Sequence, residues 1–443
     1  MKNKFELGFV EKLVFSNYKI RSKAIQVNGE IDDNFKLVSK NNIFFFKIYP
    51  KNTDKEFVKF QIDILHSLKK NKKTSNNIPT LNGNVFESFQ DENKNLRFFR
   101  MNSWIEGRLW SKVNPINKSL RFELGEISAK ILNKLKKVKK GYLREKFDWD
   151  LQNFLWTEKY INEIDISKRN VVKKLISNFK IQEKKYKQLR KSIIHNDIND
   201  NNIIVSEDLK VPSINGIIDF GDCTHTQLIN EVAILCTYAI IGSKNPLISA
   251  CEVLEGFNNS FKIKEEEIEF LYDLILMRIT VSLIKSSLNK KNNRENKYLV
   301  ISQDDMKLLF KNWSKINKEL AICFFRKSCG YSPHKNEKKF SAIIKENNSS
   351  LDILFKTLNK KDPKAIDMSV SSEWLDNEMI IDNYKFEQKL KSNSENKLLC
   401  GGYLEVRPVY DSLDYQKITD NGIENRTTHL GIDFWVNEKT PVY

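Results

Sequence analysis

Short apolar runs alternate with turn residues at the start of the chain. The runs cover residues 24–27, 35–38 and 43–49. They are separated by 29–34 and by Asn41-Asn42, a pattern that predicts strands joined by tight turns. Between Lys55 and Leu68 the apolar positions recur at helical spacing. The pattern therefore predicts a small sheet followed by one helix.

The rest of the first 330 residues changes from strand-like to helical patterns. Residues 85–89 and 96–104 are two more strand candidates, and helical sequence begins near residue 120. Three short apolar runs interrupt the helical pattern as strands around a polar loop, at 192–194, 203–205 and 214–220. Long helical patterns return over 227–330. The predicted fold class is α+β, a β-rich first part followed by a mainly helical domain.

The last hundred residues differ in composition from the rest. Residues 331–400 are rich in Lys, Asn and Ser with weak periodicity, which indicates a linker or a loosely packed helical arm. Gly401-Gly402 then leads into a turn-rich, strand-like tail. We therefore expect four units, at 1–100, 101–330, 331–400 and 401–443.

Composition narrows the class of protein. The formal net charge is +17, but Lys is spread along the chain, so we expect a solvated basic surface and no nucleic-acid partner. The six cysteines include no CxxC pair, which favours free thiols in a reducing compartment. No window approaches the roughly 18 apolar residues of a membrane span, and the N-terminus has no uninterrupted apolar run. These features predict a cytoplasmic protein without a membrane partner.

Three polar side chains follow the short strands of the helical part. Asp197 and Asn202 lie five residues apart in a polar loop, and Asp219 ends the next apolar strand, before Phe220-Gly221. Transfer of a γ-phosphoryl group needs a divalent metal, and Mg²⁺ favours carboxylate and amide oxygens such as those of Asp219 and Asn202. The attacking hydroxyl needs a base that does not bind the metal, a role that falls to Asp197. Each residue alone is typical of a turn or cap, but the joint order predicts a phosphoryl-transfer site.

The segments HNDINDNNIIV and GIIDFGDC resemble the aminoglycoside phosphotransferase and choline kinase superfamily, most closely its hydroxylysine kinase branch. The resemblance covers about residues 10–330 and includes NGEIDDNFKL, MNSWIEG, FDWDL and NEVAILCTY. It implies a protein-kinase-like fold with a small β-rich N-lobe and a helical C-lobe. It also implies ATP or GTP as the donor, Mg²⁺ at Asn202 and Asp219, and catalytic roles for Asp197 and His195.

Two positions depart from the family pattern. Asn196 replaces the usual Gly, and Asp200-Asn201 replaces a common Pro-Gly. Both changes affect the flexibility of the loop, and neither removes a catalytic group.

The resemblance places the nucleotide-binding lysine at Lys47, in an otherwise apolar strand. Its carboxylate partner is expected from the following helix, where we prefer Glu56 to Asp63. No GxGxxG precedes Lys47, so a phosphate lid would have to be built from residues 29–34. A connector that presents its backbone to the purine is expected at Met101, Ser103 and Trp104.

An acidic flank near the loop suits a cationic acceptor. Its members are Asp200, Asp222 and Glu231. The alternative is that these residues cap helices, which acidic side chains commonly do. The predicted acceptor is a small hydroxylated amine such as hydroxylysine or ethanolamine. A protein kinase is an alternative, although no Ala-Pro-Glu follows Asp219. A non-catalytic kinase-like module is another, although every acidic and amide group is retained.

The tail carries a second resemblance. EVRPVY and RTTHLGID resemble the opening of an M23 (lysostaphin-like) metallopeptidase domain, where His429 and Asp433 match two zinc ligands. A zinc site needs at least three protein ligands and no later His-x-His follows, so Zn²⁺ is not expected. A kinase-like part followed by a peptidase-like segment resembles the start of longer fusion proteins whose last domain is an aminotransferase-like domain that uses pyridoxal phosphate. One interpretation is therefore that this chain is a fragment and that the downstream domains are its partners.

Overall fold

An antiparallel sheet and a set of packed helices form the two main parts of the chain. The computed structural model describes residues 5–27, 29, 32–69, 71–138, 142, 144, 147–292, 298–346, 363–375, 382–394, 398–408, 413–419, 422–436 and 439–441. The helices are α1 (Leu7–Tyr18), α2 (Lys55–Leu68), α3 (Lys118–Leu135), α4 (Ile166–Lys187), α5 (Ile229–Ala239), α6 (Pro246–Ser260), α7 (Glu265–Asn292), α8 (Tyr298–Trp313), α9 (Lys318–Ser328), α10 (Glu337–Glu346) and α11 (Asn383–Ser394).

The strands occur in groups between these helices, and most of them pair in an antiparallel manner. They are β1 (Lys23–Val27), β2 (Asp33–Val38), β3 (Ile43–Ile48), β4 (Asn77–Ile78), β5 (Glu87–Gln90), β6 (Leu96–Ser103), β7 (Arg108–Leu109), β8 (Lys191–Ile194), β9 (Ile203–Val205), β10 (Ile214–Ile217), β11 (Thr224–Gln227), β12 (Lys364–Ile366), β13 (Leu399–Gly401), β14 (Gln416–Thr419), β15 (Gly422–Asn425) and β16 (Phe434–Trp435).

The N-terminal sheet has the order β1-β2-β3-β6-β4, with β5 also paired to β6. Phe46 and Ile48 of β3 pack with Val10 and Val14 of α1. Because side chains alternate along a strand, Lys47 lies on the opposite face of the sheet. The sheet therefore buries its apolar face under α1 and turns a lysine toward the rest of the chain.

Two short sheets in the second part support the polar loop. β9 and β10 are antiparallel, with Ile203 opposite Ile217, which brings residues 202 and 218 side by side. β8 pairs with β11 in the same way. The predicted strands at 192–194 and 203–205 are confirmed, and the third ends at Ile217, earlier than expected.

The core of the second part is helical. Every residue of α5 is buried, and α3 and α6 cross at two glycines. A Cβ on Gly125 would lie 2.0 Å from the Val253 carbonyl oxygen, and one on Gly256 would lie 1.9 Å from the Phe122 carbonyl oxygen. The two backbones are thus closer than any side chain would allow. The six cysteines are free thiols, as the sequence predicts.

The C-terminal part contains a small sheet of order β12-β13-β16. Leu390 of α11 packs against Ile366 and Leu399 of this sheet. Regular structure therefore occurs within the segment 331–400, which was expected to be a linker or a loose helical arm. In the part of the chain that the structure describes, no helix combines the length and the apolar character needed to cross a membrane.

We expect Gly256→Ala to lower the free energy of unfolding by about 1–3 kcal/mol, the usual cost of overpacking a close contact. Urea denaturation followed by tryptophan fluorescence measures the change. Gly8→Ala is the control, because a Cβ at that helical position meets nothing within 4 Å. Equal denaturation midpoints for the two variants would contradict the close crossing of α3 and α6.

Candidate active site

The Ile218 peptide unit joins the two loops that carry the predicted chemistry. Its N–H donates to the Asn202 carbonyl oxygen at 2.9 Å. Its carbonyl oxygen lies 3.0 Å from Nε2 of His195, which donates because a carbonyl can only accept. Asp219 follows directly, so the structure brings Asp197, Asn202 and Asp219 to one place.

Asp197 is held by three side chains. Its Oδ2 accepts from Nδ2 of Asn202 at 2.9 Å and from Nδ2 of Asn199 at 3.0 Å. Its Oδ1 accepts from the buried guanidinium of Arg278 at 2.9 Å. Burial raises the pKa of Asp197 to about 8; Arg278 opposes that shift, and the charges of Asp222 and Asp219 add to it.

Asn202 points its amide nitrogen at Asp197. Nδ2 donates to both the backbone oxygen and Oδ2 of Asp197, each at 2.9 Å. Both donors of the amide are thus engaged with Asp197, and Oδ1, which can only accept, is its remaining polar atom.

His195 lies inside the protein, and its predicted catalytic role needs correction. Its side chain is fully buried against the ring of Phe220, 4.6 Å between centroids. Nε2 contacts the Ile218 carbonyl, and Nδ1 accepts from the Asp197 N–H at 3.3 Å. Burial lowers the pKa of His195 and favours the neutral ring. Neither nitrogen is free for a substrate, so His195 positions the loops.

Glu231 was predicted to bind substrate, but it is fully buried under the loop. Its two oxygens accept from the backbone N–H groups of His195 and Asn196, at 3.0 and 2.9 Å. Burial raises the pKa of Glu231 to about 7, against the effect of these two hydrogen bonds. Asn196 has φ 65°, a left-handed conformation that favours Gly and tolerates Asn. The replacement of the family's Gly is thus compatible with the loop.

Asp219 faces a cation from the N-terminal sheet. It adopts a left-handed conformation, φ 61° and ψ 70°, and its Oδ1 accepts from the Gly221 N–H at 3.2 Å. Nζ of Lys47 lies 3.9 Å from the same oxygen and also forms an ion pair with Asp32. Partial loss of water disfavours the charged forms, but the neighbouring charges outweigh this effect, so the pKa of Lys47 is raised and that of Asp219 is lowered. The lysine and the aspartate are both ionised at neutral pH.

The expected partnership of Lys47 with Glu56 is wrong in this structure. Glu56 lies in the first turn of α2 and pairs with Lys59 in solvent, 2.6 Å apart. The buried polar residue on α2 is Gln61, which accepts from the Tyr49 hydroxyl at 2.7 Å and donates to the Gly221 carbonyl at 3.3 Å. Asp32, from the predicted lid, takes the place expected for Glu56. Residues 30 and 31 of that lid lie outside the described residues.

The connector differs from the prediction in two of its three residues. Met101 is fully buried in the core beneath α1, and its backbone pairs with β3 and β4. Ser103 is bonded through its N–H and its Oγ to the backbone of Asn76, at 2.8 and 2.9 Å. Trp104 follows the strand, with Nζ of Lys36 4.8 Å from the ring centroid. Of the three, Trp104 stays a candidate for contact with a purine.

Two acidic residues of the predicted flank remain near the loop. Asp222 pairs with Arg144 at 2.9 Å, and Arg144 also donates to the Gly221 carbonyl at 2.7 Å. Asp222 is therefore engaged in holding the turn. Asp200 is partly exposed, and burial raises its pKa to about 6. It stays a candidate for contact with the acceptor.

Arg278 is the functional residue that the sequence analysis missed. It comes from α7, 81 residues beyond Asp197, and it is almost completely buried. Nε donates to the Tyr238 hydroxyl at 3.2 Å, and NH1 donates to the Trp149 carbonyl at 3.3 Å. An arginine inside the apolar run Leu276–Ile279 was the available signal, because such a charge must find a buried partner.

The donor set fits a magnesium nucleotide. Asp219 and Asn202 offer one carboxylate and one amide oxygen, the hard ligands that Mg²⁺ prefers. The side chain of Asp219 is half-exposed, so its oxygens are open to the cleft. Lys47 supplies the nearby positive charge that phosphates need.

The tail brings its two predicted zinc ligands, His429 and Asp433, close together. Nε2 of His429 lies 3.4 Å from Oδ2 of Asp433, and Arg407 forms ion pairs with Asp433 and Glu405. Among the described residues, no group of three or more His, Cys, Asp or Glu side chains could hold a metal.

Comparison with known proteins agrees with this geometry. Residues 23–257, just over half of the chain, match the model of the phosphotransferase enzyme family, APH. Hydroxylysine kinase of Mus musculus is 31% identical over 215 residues, 46% of this chain and 57% of the relative. Hydroxylysine kinase of Danio rerio is 26% identical over 263 residues, 56% of this chain and 73% of the relative. The chain thus spans somewhat over half the length of the mouse relative. The family match ends before the tail, so the resemblance of the tail to M23 peptidases stays a prediction.

Solved structures confirm the kinase-like fold. A microcompartment-associated aminopropanol kinase superposes with a TM-score of 0.53 at 12% identity, covering 73% of this chain and 99% of that one. An amicoumacin kinase in complex with AMP-PNP and Ca²⁺ gives 0.52 at 14% identity, covering 75% and 97%. An antiparallel N-terminal sheet followed by a helical lobe, with a further small C-terminal sheet, is the fold of this chain. Because the family model matches more than half of the residues, the chain belongs to the phosphotransferase enzyme family.

Proposed function

We propose that this chain is a Mg²⁺-dependent kinase that transfers the γ-phosphoryl group of ATP or GTP to the hydroxyl of a small hydroxylated amine such as hydroxylysine. The observation that carries the proposal is the convergence of Asp197, Asn202 and Asp219 around the Ile218 peptide unit. The similarity to hydroxylysine kinases supports the choice of acceptor.

The residues on the nucleotide side have two roles, binding of the metal and binding of the phosphates. When bound, Mg²⁺ neutralises the phosphate oxygens and supports the leaving group. Asp219 and Oδ1 of Asn202 hold the metal. Lys47, kept cationic by Asp32 and Asp219, binds the non-transferred phosphates.

Asp197 orients the acceptor hydroxyl and takes its proton. A carboxylate has about four lone-pair sites, and the described hydrogen bonds to Asp197 use three of them. The remaining site is available to the hydroxyl. Arg278 and Asn202 fix the carboxylate, so the proton is accepted at a defined point.

Asp197→Asn is expected to lower kcat at least about 100-fold, the usual contribution of a general base. Initial rates with Mg-ATP, Mg-GTP and a panel of amino alcohols measure it. Asp208→Asn is the control, because Asp208 is an exposed residue in the loop after β9 whose carboxylate caps its own turn. Turnover that survives the first substitution would remove Asp197 from the mechanism.

Removal of the Asn202 amide should weaken the binding of Mg²⁺. We expect Asn202→Ala to raise the Mg²⁺ concentration for half-maximal activity by about tenfold or more, the effect known even for residues that only support ligands. A Mg²⁺ titration at fixed nucleotide measures the shift. Asn201→Ala is the matched control, because Asn201 bonds to Ser111 at the surface. Equal Mg²⁺ dependence in the two variants would contradict the ligand role.

Activity should fall as the pH is lowered, with an apparent pKa above the ordinary value of an aspartate. Asp197 acts only when ionised, and burial raises its pKa to about 8 in the metal-free protein. A bound divalent cation lowers that value because it stabilises the carboxylate. Measurement of kcat/KM from about pH 5.5 to about pH 9 at saturating Mg-nucleotide tests this. A profile that stays flat to the acid end would refute a base with a raised pKa.

A further inference from the structure

One face of α7 continues from Asp197 to an ion pair at the solvent. Arg278, Ser282 and Lys285 occupy positions i, i+4 and i+7, which fall on the same side of a helix. Arg278 is buried, whereas Ser282 and Lys285 are partly exposed. This face, which we call the α7 stripe, therefore leads outward from the Asp197 carboxylate.

Aromatic side chains line the inner half of the α7 stripe. The guanidinium of Arg278 lies 4.6 Å from the ring centroid of Trp149 and 5.3 Å from that of Tyr238. The Tyr238 hydroxyl lies 3.2 Å from Oγ of Ser282. The inner half thus combines two aromatic rings with a guanidinium and two hydroxyls, a mixture of apolar and polar groups typical of small-molecule sites.

The outer end of the α7 stripe is a pair of opposite charges. Nζ of Lys285 lies 2.5 Å from Oδ2 of Asp148 and 4.9 Å from the ring centroid of Trp156. The two charged side chains are 23% and 44% exposed. The pair is therefore accessible to a ligand, and a ligand that carries both charges can replace each partner with a group of the same sign.

The spacing fits a small bifunctional molecule. Seven residues of α-helix advance about 10.5 Å, which separates Arg278 from Lys285 along α7. A hydroxyl and a carboxylate five to six bonds apart span about 6–7 Å when extended, at roughly 3.5 Å for every three bonds. A hydrogen bond of about 2.8 Å at each end brings the reach to about 12 Å. The reach of such a molecule is thus comparable to the rise along α7 from Arg278, which is bonded to Asp197, to Lys285.

We propose that Lys285 and Asp148 determine acceptor specificity by binding the carboxylate and the ammonium group of a hydroxy amino acid. The inference rests on the proposed function. Lys285 donates to the carboxylate and Asp148 accepts from the α-ammonium, so each exchanges its present partner for a ligand group of the same charge. A simple amino alcohol offers no carboxylate and leaves Lys285 without a new contact.

Three acceptors that differ by one charged group test this. They are hydroxylysine, 1,5-diaminopentan-2-ol, which lacks the carboxylate, and 6-amino-5-hydroxyhexanoate, which lacks the α-amino group. We expect the wild-type kcat/KM for hydroxylysine to exceed that for either analogue by about tenfold or more, the effect of one charge-assisted hydrogen bond.

Two variants assign the effect to single residues. Lys285→Met should lower kcat/KM for hydroxylysine by about tenfold and leave that for 1,5-diaminopentan-2-ol nearly unchanged. Asp148→Asn should act in the same way on hydroxylysine while sparing 6-amino-5-hydroxyhexanoate. Lys291→Met is the matched control, because Lys291 lies further along α7 and pairs with Glu163 at the surface. It should keep the wild-type preference.

The failures are distinguishable. Equal wild-type kcat/KM for the three acceptors, or an equal loss for all of them in Lys285→Met, overturns the specificity role and leaves the kinase activity standing. Absence of phosphorylation of these acceptors and of ethanolamine, with either nucleotide, overturns the proposed function and this inference with it.

Discussion

The catalytic loop and the metal-binding strand meet at the Ile218 peptide unit, whose N–H is bonded to Asn202 and whose carbonyl is bonded to His195. Leaving one such group unpaired in the interior costs about 1–3 kcal/mol, so the two bonds oppose any separation of the loops. The bond from His195 depends on a neutral ring, because Nδ1 must accept from the Asp197 N–H. Burial, which keeps that ring uncharged, is therefore a condition for the geometry of the whole site.

Glu231 supports the same loop from below. A buried carboxylate that accepts two backbone N–H groups fixes the direction of the chain at His195 and Asn196. Asn196 has a left-handed backbone conformation, which is strained for a residue other than Gly. The hydrogen bonds from the N–H groups of His195 and Asn196 to Glu231 offset this strain. Across the cleft, Lys47 approaches Asp219 from the sheet, so charge attraction ties the two lobes at the point where phosphates would lie.

The sequence predicted what depends on local order and missed what depends on packing. The proximity of Asp197, Asn202 and Asp219 could be predicted because a loop and two short strands fix their relation within a short segment. Arg278 was missed because its contact depends on how α7 packs, 81 residues away. On α2 the helical spacing places Gln61 among the buried apolar positions and leaves Glu56 outside them. Glu56 was chosen as the partner of Lys47 because it is acidic. The helical spacing would have been the better criterion.

The environment of Asp197 balances two opposed effects. Burial and the neighbouring carboxylates make the group a stronger base, whereas the guanidinium of Arg278 makes it a weaker one. Without the guanidinium the pKa of Asp197 would be higher still, and the carboxylate would be ionised only at higher pH; beside the cation in an open site it would be a much weaker base. Contacts with the rings of Trp149 and Tyr238 hold the guanidinium of Arg278 beside the carboxylate. The same helix also carries Ser282 and Lys285 outward, so the placement of α7 governs the environment of Asp197 and, under the proposed specificity, would also set the length of the acceptor.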